Sequence, residues 1–203
     1  MNYFITGIDT DSGKTLVAAI LCEALLADYW KPIQAGLPKD SDTVKSLIQN
    51  SRSYIHSEKF LLRTPASPHA AAKIDGVTIS LADFVLPKTS NTLIIEGAGG
   101  CLVPINDQDF IIDLAAHLHT EIILVADLYL GSINHTLLTI EALKKRNLNV
   151  KGIIFNGESN PESERIILLH SGFRCLLRIP KEHAINSAII TKYAQIVNTT
   201  WNE

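Results

Sequence analysis

Paired cysteines, a basic leader, a long apolar run and an excess of one charge are all missing from this chain. Its three cysteines, Cys22, Cys101 and Cys175, are widely spaced and odd in number. They form no Cys-x-x-Cys pair, which excludes a disulfide framework, a thiolate zinc site and a redox motif of that kind. Free thiols fit a reducing compartment, so a cytoplasmic location is expected. No basic residue precedes Lys14, and the longest apolar run, Leu16 to Cys22, ends at Glu23. Neither a signal peptide nor a membrane span is expected. Eighteen basic and 21 acidic side chains give a net charge of -3 with no block of either sign. That leaves no nucleic-acid footprint and no polybasic membrane anchor.

What is present is an ordinary globular composition, 46% hydrophobic and 19% charged, over 203 residues. Such a length fits one compact domain spanning residues 1–203. Short apolar runs recur at Tyr3 to Ile5, Leu93 to Ile95, Ile122 to Ala126 and Gly152 to Phe155. Continuous hydrophobicity suits strands covered on both faces. Helical patterns separate them, at Thr15 to Ala27, Ile111 to Leu118, Ile133 to Lys145 and Ser163 to His170. The alternation predicts a doubly wound, mostly parallel α/β sheet, whose ligands bind where strands end. The stretch from Ser51 to Lys88, with Pro65, Pro68 and Pro87, is less regular.

The first strand exit carries Gly7-Ile8-Asp9-Thr10-Asp11-Ser12-Gly13-Lys14-Thr15, followed at once by a helical pattern from Leu16. Strand, glycine loop, Gly-Lys-Thr and helix in that order make a phosphate-binding loop. Backbone amides surround phosphate oxygens, the lysine supplies a point charge and the hydroxyl ligates magnesium. Five residues separate Gly7 from Gly13, one more than the usual four. A second exit, Glu96-Gly97-Ala98-Gly99-Gly100, puts an acid beside small residues that let a phosphate approach the backbone. Lys31, biased towards extended geometry by Pro32, either points into the same crevice or lies solvated on the surface. Asp42 precedes a helical pattern and reads on its own as an N-cap or first-turn acid in preference to a metal acid. Gly131-Ser132-Ile133-Asn134-His135 opens another helix with Ser132 as its cap. It offers either an anion site or an ordinary solvated first turn.

Together these pieces, with Lys31-Pro32-Ile33-Gln34-Ala35-Gly36, Ser41-Asp42, Ser67-Pro68-His69 and Asn156, resemble the dethiobiotin synthetase family over about three quarters of the chain. The resemblance implies a P-loop, homodimeric, cytoplasmic ligase. It would use ATP, magnesium and carbon dioxide to close a cyclic urea on 7,8-diaminononanoate. It further implies that Lys14, Lys31 and Thr10 are catalytic, and that Asp11, Ser12, Gly13, Lys14, Thr15, Leu16 and Asn156 bind ATP. Thr15, Asp42 and Glu96 would hold magnesium, and Lys31, Gly99, Ser132 and Asn134 the substrate. Ala35 stands where many relatives carry a hydroxyl. Cys101 is expected to be a packing thiol.

Three rivals share the loop. A partitioning-type ATPase that switches protein contacts carries a second lysine early in the loop, where this chain has Asp9. An amidoligase acting on a large corrin-like acid needs an attached glutamine-hydrolysing domain, for which 203 residues leave no room. A non-catalytic nucleotide-binding module has no use for the acids Asp42 and Glu96.

Overall fold

The computed structural model describes residues 1–201; the last two positions of the expected 1–203 unit lie outside the described residues. Seven parallel strands form the main sheet. They are β1 (Asn2–Gly7), β2 (Asp28–Trp30), β4 (Ile55–His56), β6 (Leu93–Gly100), β7 (Glu121–Asp127), β8 (Val150–Asn156) and β9 (Cys175–Ile179), in the order β4-β2-β6-β1-β7-β8-β9. A separate parallel pair, β3 (Ile33–Ala35) with β5 (Phe60–Leu62), stands beside it. The four apolar runs are the central strands β6, β1, β7 and β8, and Phe4, Ile5, Ile94, Ile95, Leu124 and Ile154 are fully buried. Burying each such side chain contributes about 1.5–3 kcal/mol.

Alternate residues of each strand feed two cores. On one face α1 (Lys14–Leu25), α2 (Asp40–Leu47) and α7 (Ser187–Thr200) cover Tyr3, Ile5, Ile94, Ile123 and Ile154. On the other, α4 (Ile111–His117), α5 (Ser132–Lys145) and α6 (Pro161–Ser171) cover Phe4, Ile95, Leu124 and Ile153. Earlier strands lie on one side of β1 and later strands on the other, so the order reverses at β1 and opens a crevice above its end.

The proline-bearing middle is more regular than its composition indicates. It holds β4, β5, the helix α3 (Pro68–Asp75) with proline in its first turn, and a 3-10 turn over Leu81–Asp83. Strand β6 also runs on past Ile95 to Gly100. The small residues extend beside β1, and the register shift between Ile5 and Gly7 absorbs the mismatch. Glu96 is therefore a buried strand residue rather than the first residue beyond one.

Candidate active site in the crevice above β1

The phosphate loop joins β1 to α1 directly, and its glycines are fixed by steric need. A Cβ on Gly7 would come within 2.0 Å of Ser12 Oγ, and one on Gly13, which has φ +94°, within 2.4 Å of Asn156 Nδ2. Ser12 is buried and donates to the Asp9 carbonyl at 3.0 Å. Helix α1 begins with no side-chain cap and no acid in its first turn, so its leading amides and positive dipole end are free for an anion. Lys14 folds back over the loop, donating to the Asp9 and Thr10 carbonyls at 2.7 and 2.8 Å. Burial, and next the nearby Lys31 charge, bring its pKa down to about 8.

Glu96 is the hub of the crevice. Its Oε1 accepts from Thr15 Oγ1 and from Lys31 Nζ, each at 2.9 Å, and its Oε2 accepts from the Tyr29 hydroxyl at 2.8 Å. Lys31, just beyond β2, also donates to the Gly97 carbonyl at 3.0 Å and pairs with Asp40 at 2.7 Å. Burial works against its charge, but Glu96 and Asp40 outweigh it and hold the ammonium above its ordinary pKa. The alternative of a solvated surface lysine is thus excluded, since Lys31 is 4% exposed.

A cavity of about 570 Å³ opens here, lined by Thr10, Asp11, Lys14, Thr15, Lys31, Asp40, Ser67, Glu96 and Gly99 among others. Gly99, with φ +69°, has no room for a Cβ, which would come within 2.8 Å of Val103 Cγ2. Asn156 closes the flank at the end of β8, donating to the Ser12 carbonyl at 3.0 Å. Leu16 turns its side chain towards the α1 core, leaving only its backbone for the loop.

The Ser132 cap needs correction, and Asp42 lies apart from the other predicted ligands. Its side chain is 66% exposed, does not line the cavity and reaches towards Lys39, 3.7 Å away. The carboxylate that enters is Asp40. The helical period explains it: Ser41, Val44 and Leu47 form the buried face, Asp40 lies at its edge on the crevice side, and Asp42 lies outside it. Ser132 does not cap α5. Gly131 occupies the cap position with φ +107°, and Ser132 is the first helical residue, buried, with an unpartnered hydroxyl. Asn134 is exposed, and neither residue lines the cavity of its own chain.

Sequence spacing also passed over Tyr29 and Asp127. Tyr29 sits within a strand and is recognisable only through its contact with Glu96. Asp127 ends β7 in register with Asn156 and keeps a buried, unpartnered Oδ1. Burial, then the carboxylate of Asp9, raises its pKa. Cys101 is buried and its thiol is pushed up to about 12 by burial, which suits packing rather than attack.

Fold and crevice define a P-loop nucleotide-binding α/β protein. The fold is shared with the septum-site protein MinD from Pyrococcus horikoshii bound to Mg-ADP (TM-score 0.57, 15% identity, 98% and 96% of the two chains). It is shared too with a plasmid partition protein from Borrelia burgdorferi bound to AMPPNP (TM-score 0.58, 12% identity, 99% and 98%). Residues 1–188 match the family model described as an AAA domain. The ATP-dependent dethiobiotin synthetase of Cytophaga hutchinsonii is 56% identical over 99% of this chain and 98% of its own. The one from Christiangramia forsetii is 47% identical over 96% and 94%. The chain belongs to the ATP-dependent dethiobiotin synthetase family.

Proposed function

We propose that this protein closes the urea ring of dethiobiotin on 7,8-diaminononanoate with carbon dioxide and ATP, releasing ADP and phosphate, as a cytoplasmic step of biotin biosynthesis. The observation that carries the reading is Lys31, a buried cation beside the phosphate loop, in a chain whose relatives at 44–56% identity bear that name. An amine that has captured carbon dioxide is an anionic carbamate, a poor acyl donor until one oxygen is phosphorylated. Bringing it to the γ-phosphate crowds anions together, so the residues needed are cations and amide donors rather than a side-chain nucleophile.

The free amides of α1 and the loop bind the phosphates, and Lys14 leaves the Asp9 and Thr10 carbonyls to meet them. Thr10 and Asp11 form the rim of the loop, and Asn156 meets the adenine. Lys31 holds the carbamate oxygens in line with the transferred group. The second amine then attacks the carbamic-phosphoric anhydride and expels phosphate.

The donors near Glu96 suit magnesium. Thr15 Oγ1, Glu96 and Asp40 all offer oxygen, the donor type a hard divalent cation takes. These three would hold the ion, with Asp40 in the place expected for Asp42. Magnesium supplies charge neutralisation on the phosphoryl oxygens.

A homodimer completes the site. Ser132 and Asn134 open α5 outside the cavity of their own chain, and the exposed Tyr129 and Leu130 lie beside Ser132. A second copy would bring this helix start to the carboxylate tail of the diamine. Phosphate release and dethiobiotin formation, measured with MgATP and bicarbonate, test the reading. Both should depend on the diamine. Steady ATP hydrolysis indifferent to it would replace this reading with that of a partitioning-type ATPase.

A further inference from the structure

Ser67-Pro68-His69 has no role in the scheme above, yet Ser67 and Pro68 line the same cavity and His69 lies behind them. We propose that Ser67 and His69 form a proton relay that takes the proton released when the second amine closes the ring. This rests on the reading of the crevice as a urea-forming site.

Four observations support the relay. Ser67 lines the cavity that holds Lys14, Lys31 and Glu96. It sits at the start of α3 but makes no capping bond. Its Oγ instead lies 3.1 Å from His69 Nδ1, and in the tautomer with the proton on Nε2 the hydroxyl donates to that nitrogen. Local geometry fixes both ends. Gly36, at φ +79°, has room for no Cβ because Pro65 lies 2.8 Å from where it would be, which pins the turn leading to Ser67 against the end of β3. The His69 amide donates to the Pro104 carbonyl at 3.2 Å.

The chemistry requires a proton acceptor, and Ser67 offers the cavity a hydroxyl already joined to an imidazole. The amine nitrogen bonds to the carbonyl carbon, phosphate leaves with the electron pair of the broken C–O bond, and the nitrogen becomes cationic until it loses a proton. Glu96 and Asp40 are engaged by Lys31, and Lys14 and Lys31 are donors. Of the hydroxyls on the cavity wall, Thr15 is spent on Glu96, and Ser67 is the one joined to a base. The amine proton passes to Ser67 Oγ as the Ser67 proton passes to Nδ1. His69 is exposed, so its Nε2 proton then leaves to solvent. Ala35 presents no hydroxyl on this side, which leaves Ser67 without a competitor there. Ser67 is the catalytic member, and His69 acts through it.

Kinetics of Ser67→Ala, His69→Ala and the double variant test this, with ATP affinity read by calorimetry and melting temperature as a control. The relay requires that each single variant lose about a hundredfold or more in kcat, the lower end of the range of general base catalysis. The double variant should lose no more than either, because the two act as one unit. ATP affinity should stay within about twofold. Added imidazole should restore His69→Ala but not Ser67→Ala. Unchanged kcat in either single variant, losses that multiply in the double, or failure of imidazole to restore His69→Ala would each overturn the relay. If the wild-type protein forms no dethiobiotin at all, the reading of the site fails first.

Discussion

Glu96 shows how a single carboxylate is made to serve several partners. Its two oxygens meet a hydroxyl, an ammonium and a phenol while it is 1% exposed. Removing Lys31 would strand that charge, the kind of loss that costs about 3–5 kcal/mol in a buried pair. Asp40 stands on the open side of the cluster, 31% exposed, where a cation carried in with nucleotide can reach it. Asp40→Asn is therefore expected to lower kcat at least about tenfold, about 1.4 kcal/mol of transition-state stabilisation, and to raise the magnesium requirement. Asp42→Asn should stay within about twofold. Magnesium titrations of the two variants check this, and the reverse ranking would restore Asp42 to the site.

Lys14 yields a pH prediction at the same scale. Its folded pKa of about 8 lies below the ordinary value of 10.5. Between the two, the unfolded chain binds a proton that the folded chain has released, so this group makes the nucleotide-free protein more stable as pH rises through that window. Phosphate binding needs the charged form, so nucleotide affinity should fall as pH rises above about 8, by at most about tenfold per unit. Calorimetry at several pH values checks it, and Lys14→Met should flatten that dependence while binding weakly throughout.

At the scale of elements, β1, the loop and α1 form one unit whose join depends on Gly13. With φ +94° and Asn156 Nδ2 2.4 Å from where a Cβ would lie, Gly13→Ala is strained twice, in its backbone and against β8. It should lower nucleotide affinity at least about tenfold, roughly 1.4 kcal/mol. Asn156→Ala together with it should recover part of the loss by relieving the clash but not the φ cost. Calorimetry on the single and double variants measures both.

The central strands were legible because each is apolar on both faces, and α1 because a glycine loop leads into it. Other parts were illegible for physical reasons. Strands β3 and β5 are three residues each, too short for a period to register. Asp40 and Asp42 flank one serine, and only the inward face set by Val44 and Leu47 separates them. Tyr29 becomes a site residue through its contact with Glu96 across the sheet, and Asp127 is brought beside Asn156 only by the register of β7 with β8, neither of which spacing along one chain carries.

At the scale of the whole molecule, the remaining question is what meets the carboxylate tail of the diamine. The start of α5 has the right chemistry: Gly131 at the cap makes no side-chain bond, the first turn holds no acid, and the Ser132 hydroxyl is buried without a partner. It does not line the crevice of its own chain, and in the proposed dimer a second copy would supply it. The side chains round it are apolar and open to water, Leu130 fully so at 103% exposure and Leu138 at 60%. Exposed apolar side chains beside an open helix start suit an interaction surface. Leu130→Asp should therefore shift the protein to a monomer in light scattering. It should abolish turnover of the diamine while leaving ADP affinity within about twofold, because the phosphate loop belongs wholly to one chain. In the unaltered protein, a diaminononane lacking the carboxylate should bind more weakly by about 1.5–3 kcal/mol, the worth of a charge-assisted hydrogen bond. A monomer with full activity, or equal affinity for the two diamines, would place the tail elsewhere.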